Sequence, residues 1–116
     1  MAALSSKLRS AEGGHILFWC PGCDGAHMIR VREDGRHEGG AWGYNLNPER
    51  PTFTPSVLVR YDGKDAGTDG APPTVCHSFV TDGRIQFLSD CTHALAGQTV
   101  DLPDFNEDDH VGLHQP

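Results

Sequence analysis

With 116 residues, 9 basic against 16 acidic side chains and a formal net charge of −7, the chain is the size of one small domain with a modest core. That charge repels phosphate backbones and disfavours nucleic acid as a partner. No apolar run approaches the roughly 20 residues that cross a bilayer, no basic amphipathic helix suggests a membrane surface, and Met1 to Ser10 lack the apolar stretch of a signal peptide; the expected compartment is the cytoplasm.

Glycine and proline recur at short intervals, and the apolar runs between them are brief and rich in β-branched and aromatic residues, which predicts a mainly β chain. Residues 1–14 read as a flexible lead-in. Strands are expected near 15–19, 27–33, 41–45, 57–61, 74–80 and 84–88, with turns at Asp34-Gly35 and Asp82-Gly83. Residues 62–73 carry almost no large apolar side chain and read as an exposed loop. Ser89-Asp90 caps a short helix over 91–96, stopped by Gly97, and at most this one helix is expected. The domain is expected to span 15–104. The acidic segment 105–116 has little to bury and is expected to fray.

Cys20-Pro21-Gly22-Cys23, followed by Cys76-His77 and Cys91-Thr92-His93, carries the clearest chemistry. A tetrahedral Zn2+ site takes four thiolates or imidazoles, and a Cys-x-x-Cys turn supplies two of them from one knuckle. Disulfides are disfavoured in a chain with no secretory leader. A redox pair belongs at a helix start, whereas here Asp24-Gly25-Ala26 leads into a strand. The expectation is a small antiparallel-sheet, zinc-ribbon-like single domain.

The hairpin at Asp82-Gly83 selects the other two ligands, because its loop length decides which residues share a face. A two-residue loop pairs Val80 with Ile85 and sends Phe79 to the other side. A three-residue loop pairs Phe79 with Ile85 and gathers His77, Phe79, Ile85, Phe87 and Cys91. The second buries three large apolar side chains together, at about 1.5–3 kcal/mol each. The predicted metal set is therefore Cys20, Cys23, His77 and Cys91, with Cys76 a small buried residue. His93 is an alternative ligand or a hydrogen-bond partner to the ligands. His27 completes a Cys-x-x-Cys-x-x-x-His string but reads as a strand-edge histidine, and His15, His37, His110 and His114 read as solvated.

Residues 42–48 and 51–56 concentrate aromatic, amide and hydroxyl groups, which suit either a recognition loop or the building of turns. No catalytic residues are assigned. No nucleophile-base-acid arrangement can be read from spacing, because Ser56, His77 and Asp90 are common residue types without a strand-turn-helix nucleophile motif. A phosphate-cradling loop is absent, and the zinc-deaminase order of His-x-Glu before Pro-Cys-x-x-Cys is not met.

Trp19-Cys20-Pro21-Gly22-Cys23, the string from Pro51 to Leu58, and the run from Cys76 through Cys91-Thr92-His93 to Gly97 resemble a family of small phage and prophage proteins of unknown function, often labelled "ammonia monooxygenase". The similarity extends over roughly residues 15–104 by these motifs. More distantly, the chain is similar to small zinc-binding proteins encoded near bacterial ubiquitin-like conjugation genes, in which His77 matches the histidine of a His-aromatic strand. The resemblance implies a phage-type accessory protein in the cytoplasm of a bacterial host. With the structural zinc site, the sequence reading is a binding module for a host or phage protein rather than an enzyme. Its rivals are a zinc-dependent hydrolase with an open coordination position, with His93 or Asp90 as acid-base partner, and an acidic nucleic-acid mimic.

Overall fold

Side chains that alternate between apolar and polar along short segments bury one face of each, and two such faces close on one another. In the computed structural model, which describes residues 2–23, 25–32, 36, 40–61, 74–105 and 113–114, the strands are β1 (Ala2–Ala3), β2 (Leu8–Ala11), β3 (His15–Cys20), β4 (Gly25–Arg30), β5 (Gly43–Tyr44), β6 (Phe53–Tyr61), β7 (Thr74–Thr81), β8 (Arg84–Phe87), β9 (Thr99–Asp101) and β10 (Leu113–His114). They form two five-stranded sheets, ordered β1-β2-β3-β4-β10 and β5-β6-β7-β8-β9. Pairing is antiparallel except for β10, which runs parallel to β4. Leu8, Ile16, Phe18, Cys20 and Ile29 from the first sheet meet Phe53, Val57, Val59, Cys76, Val80, Ile85 and Phe87 from the second in one core. The mainly β expectation holds, and no helix occurs among the described residues.

Four local expectations change. Residues 1–14 supply β1 and β2, and Leu8 is fully buried opposite Phe18; a leucine that fits the core outweighs the freedom of a terminus. Segment 91–96 forms turns rather than a helix. The Thr92 N–H donates to the Val75 carbonyl (2.9 Å) and the Val75 N–H to Thr92 Oγ1 (3.0 Å), so the edge of β7 takes the groups a helix would use. At the start of the acidic tail, Phe105 is buried edge-to-face on Trp19 with centroids 5.8 Å apart, and Leu113–His114 pairs with β4. The fourth change is the hairpin. Asp34-Gly35 and the loop 62–73 lie outside the described residues.

Strands β7 and β8 pair Val80 with Ile85 and Phe79 with Gln86, so the loop is the two-residue one. Asp82 (φ 51°) and Gly83 (φ 78°) both have positive φ, the backbone of the hairpin turn that Asp-Gly favours because its twist matches that of the strands. Turn geometry prevails over burial of Phe79, which stays 40% exposed. A Cβ at Gly83 would also crowd Arg50, meeting its Cα at 3.3 Å. Gly83→Ala should therefore cost about 1–2 kcal/mol, read from the urea midpoint of unfolding.

Candidate functional site

Strand β3 ends with Cys20 on its inward face, beyond Ile16 and Phe18. The Pro21-Gly22 turn returns the chain to Cys23, and β4 carries His27, which is fully buried and faces Phe18 in register. From the opposite sheet β7 brings Cys76, paired with Val59 and also fully buried. The ligand atoms of Cys20, Cys23, His27 and Cys76 all lie within 4.8 Å of one another. Cys20 Sγ and Cys76 Sγ are 3.7 Å apart, matching the edge of about 3.8 Å that Zn–S bonds of about 2.3 Å give a tetrahedron. Two strands of one sheet and one of the other thus supply a donor set that can hold a metal ion.

Three thiols this close cannot all ionise on their own. Hydrogen bonds from Cys20 and Cys76 hold the Cys23 thiol far below its usual range. Its hydrogen bond to Cys23 is the main cause that pushes Cys20 up to about 12, and Cys76 is pushed up chiefly by its hydrogen bond to Cys20. A bound cation removes this conflict by stabilising every thiolate it touches.

The set expected from sequence, Cys20, Cys23, His77 and Cys91, is brought together only in part. Cys91 falls in a second group with Cys76 and His93, again with ligand atoms within 4.8 Å. His93 lies against the knuckle, where a Cβ on Gly22 would meet its ring at 2.3 Å, and edge-on to Phe87 with centroids 4.5 Å apart. The Leu95 N–H donates to His93 Nδ1 (3.2 Å), which leaves the ring proton on the buried Nε2. His27 is the donor that sequence reasoning set aside, although its spacing after Cys23 was visible. The short hairpin loop turns Cys76 inward and His77 outward.

On the outer face His77 has other partners. Ser56 Oγ–H donates to His77 Nε2 (2.8 Å), and His77 Nδ1–H donates to Asp90 Oδ2 (3.1 Å). Each member is placed by a local device. Phe53 pairs with Val80 and Val57 with Ser78, so Thr54, Pro55 and Ser56 bulge opposite the single residue Phe79; such bulges re-aim a side chain. The Trp42 indole N–H donates to the Ser56 carbonyl (3.3 Å) and fixes its backbone. Beyond the end of β8, Cys91 takes over the edge of β7: the His77 N–H donates to Cys91 Sγ and the thiol to the His77 carbonyl, both at 3.2 Å. Asp90, next in the chain, is thereby held against the ring.

The remaining polar groups of the 42–56 cluster build turns. Asn45 Nδ2 donates to the Arg50 carbonyl (2.9 Å), and Asn47 Oδ1 accepts from the N–H groups of Glu49 and Arg50 (3.1 and 3.2 Å).

Residues 3–88 match the model of the BubE family, described as "Bacterial ubiquitination-like system serine protease". The match takes in most of the 116 residues, and the chain belongs to this family. Ser56 and His77 lie within the matched region; Asp90 lies just beyond it. Searches of curated proteins and of solved structures found no match.

Because Cys20, Cys23 and Cys76 belong to one donor set that can hold a metal ion, serine at any of the three should lower the melting temperature by a similar, large amount. Cys91→Ser should cost less, since a hydroxyl can replace both hydrogen bonds to His77. Thermal melts of the four variants compare them.

Proposed function

We propose that this BubE-family chain is a serine hydrolase of a bacterial ubiquitination-like system, cutting an acyl bond of a polypeptide and built around a structural zinc ion. The continuous hydrogen-bonded chain from Ser56 through His77 to Asp90 is the observation that carries the reading. Ser56 is the nucleophile, His77 the base and Asp90 the residue that orients the imidazole and stabilises its charged form. As Ser56 Oγ bonds to the substrate carbonyl carbon, its proton passes to His77 Nε2. Collapse of the tetrahedral intermediate breaks the bond to the leaving amine, which takes that proton. Water, deprotonated by His77, then attacks the acyl ester and releases the acid and Ser56. The protein partner expected from sequence is, on this reading, the substrate.

Cys20, Cys23, His27 and Cys76 would hold the zinc. Four protein donors fill a tetrahedral sphere, so the bound ion cross-links the sheets rather than presenting an activated water. Four free cysteines fit the reducing cytoplasm. Among the described residues no helix is long and apolar enough to cross a membrane.

A fluorophosphonate probe reads the nucleophile directly. It should label the wild-type chain at Ser56 and fail to label Ser56→Ala, and Asp90→Asn should slow labelling on the order of 10²–10⁴-fold. Labelling that survives Ser56→Ala would remove the assignment.

Elemental analysis of protein purified without added metal should find one zinc per chain. Stripping it with a strong chelator should lower the melting temperature markedly, because metal-binding energy is folding energy at such a site.

A further inference from the structure

We infer that the site selects polypeptides carrying a large apolar side chain on the acyl side of the bond to be cut, and that Phe79 sets this preference; the inference rests on the Ser56 hydrolase reading above. On the outer face of the second sheet, Leu58 stands opposite His77, and the bulge holding Ser56 stands opposite Phe79. These four residues form a square. The hydrogen bond from Ser56 to His77 runs along one diagonal, and Leu58 and Phe79 occupy the other, 42% and 40% exposed. A single exposed apolar side chain is ordinary. Two that bracket one nucleophile make an apolar patch where the substrate must lie. The alternative hairpin register would have buried Phe79, and the chain instead holds it outward beside the serine.

Chemistry gives the square a direction. Phe79 stands across the strands from the Ser56 bulge and Leu58 across from His77, and with the acyl carbon bonded to Ser56 Oγ we place the acyl-side residue toward Phe79. The leaving group takes its proton from His77 Nε2 and departs on the Leu58 side. Beyond Phe79 the sheet surface opens into a cavity of about 350 Å³ that Thr81, Gln86 and Thr99 also line, room for a large side chain. Its two arginines are already matched, Arg50 by Asp82 (3.0 Å) and Arg84 by Asp101 (3.4 Å). The remaining lining side chains are polar or charged, so the Phe79 ring is the apolar contact this cavity offers.

The nitrophenyl esters of N-acetylglycine and N-acetylphenylalanine test this, with rates corrected for their intrinsic reactivity toward hydroxide. Wild-type protein should favour the phenylalanine ester at least tenfold in kcat/KM, equivalent to about 1.4 kcal/mol. Phe79→Ala should reduce the ratio to threefold or less, and Phe79→Leu should restore most of it. Each ratio is internal to one variant, and thermal melts report whether that variant is folded. Ser56-dependent hydrolysis without a preference in the wild type, or a preference that survives in folded Phe79→Ala, would overturn the inference while leaving the nucleophile in place. Hydrolysis of neither ester, or hydrolysis unchanged in Ser56→Ala, would instead remove the hydrolase reading on which it rests.

Discussion

Alternation along a single strand governs both sites of this protein. Cys76 points into the core toward Cys20, Cys23 and His27, and the next residue, His77, points out toward Ser56 and Asp90. A slip of one residue in the register of β7 would exchange the two and destroy both arrangements. The register is held from two sides. The two-residue Asp82-Gly83 turn pins β7 to β8, and continuous pairing from Val57 to Tyr61 pins it to β6. A turn chosen for its twist thus decides which face receives the sulfur and which the imidazole.

The two sites are also coupled through the segment after β8. Cys91 grips both backbone groups of His77, and Thr92 does the same for Val75 with its N–H and hydroxyl. This stretch behaves as a short surrogate strand made partly of side chains, and Asp90 is delivered at its start. Cys91 and His93 lie at the same time beside Cys76. The packing that positions the His77 ring and the Asp90 carboxylate is therefore continuous with the packing around the cysteines.

The strand pattern and the Cys20–Cys23 knuckle were legible in the sequence because period-2 alternation and turn residues are local signals. At the hairpin, burial of Phe79 and the positive-φ preference of Asp-Gly oppose one another, and the turn prevails; with it Cys76 faces the other cysteines and His77 the outer surface. The spacing of His27 was visible, but its burial depends on β3 and β10 flanking β4, which no spacing reveals. Ser56 was harder still. A serine raised on a bulge within a strand leaves no strand-turn-helix string, and its hydrogen-bonded partners lie 21 residues away on β7 and further on past β8. The bulge does for this serine what a sharp elbow does elsewhere, lifting one hydroxyl clear of the ladder. That signal emerges only once Val57 is known to pair with Ser78 and Phe53 with Val80.

The hydrogen-bonded chain is shallow, with the His77 side chain 24% and the Asp90 side chain 54% exposed. In that setting water screens the attraction between imidazolium and carboxylate, which is worth far more in a dry site. A substrate lying across Leu58 and Phe79 would cover the serine and the imidazole from above, expel that water and strengthen the same two hydrogen bonds. Apolar contacts on the rim then serve two ends, choosing the side chain that binds and lowering the polarity around the groups that react. On the proposed hydrolase reading, an exposed hydrogen-bonded chain of this kind would depend on its polypeptide for part of its own environment.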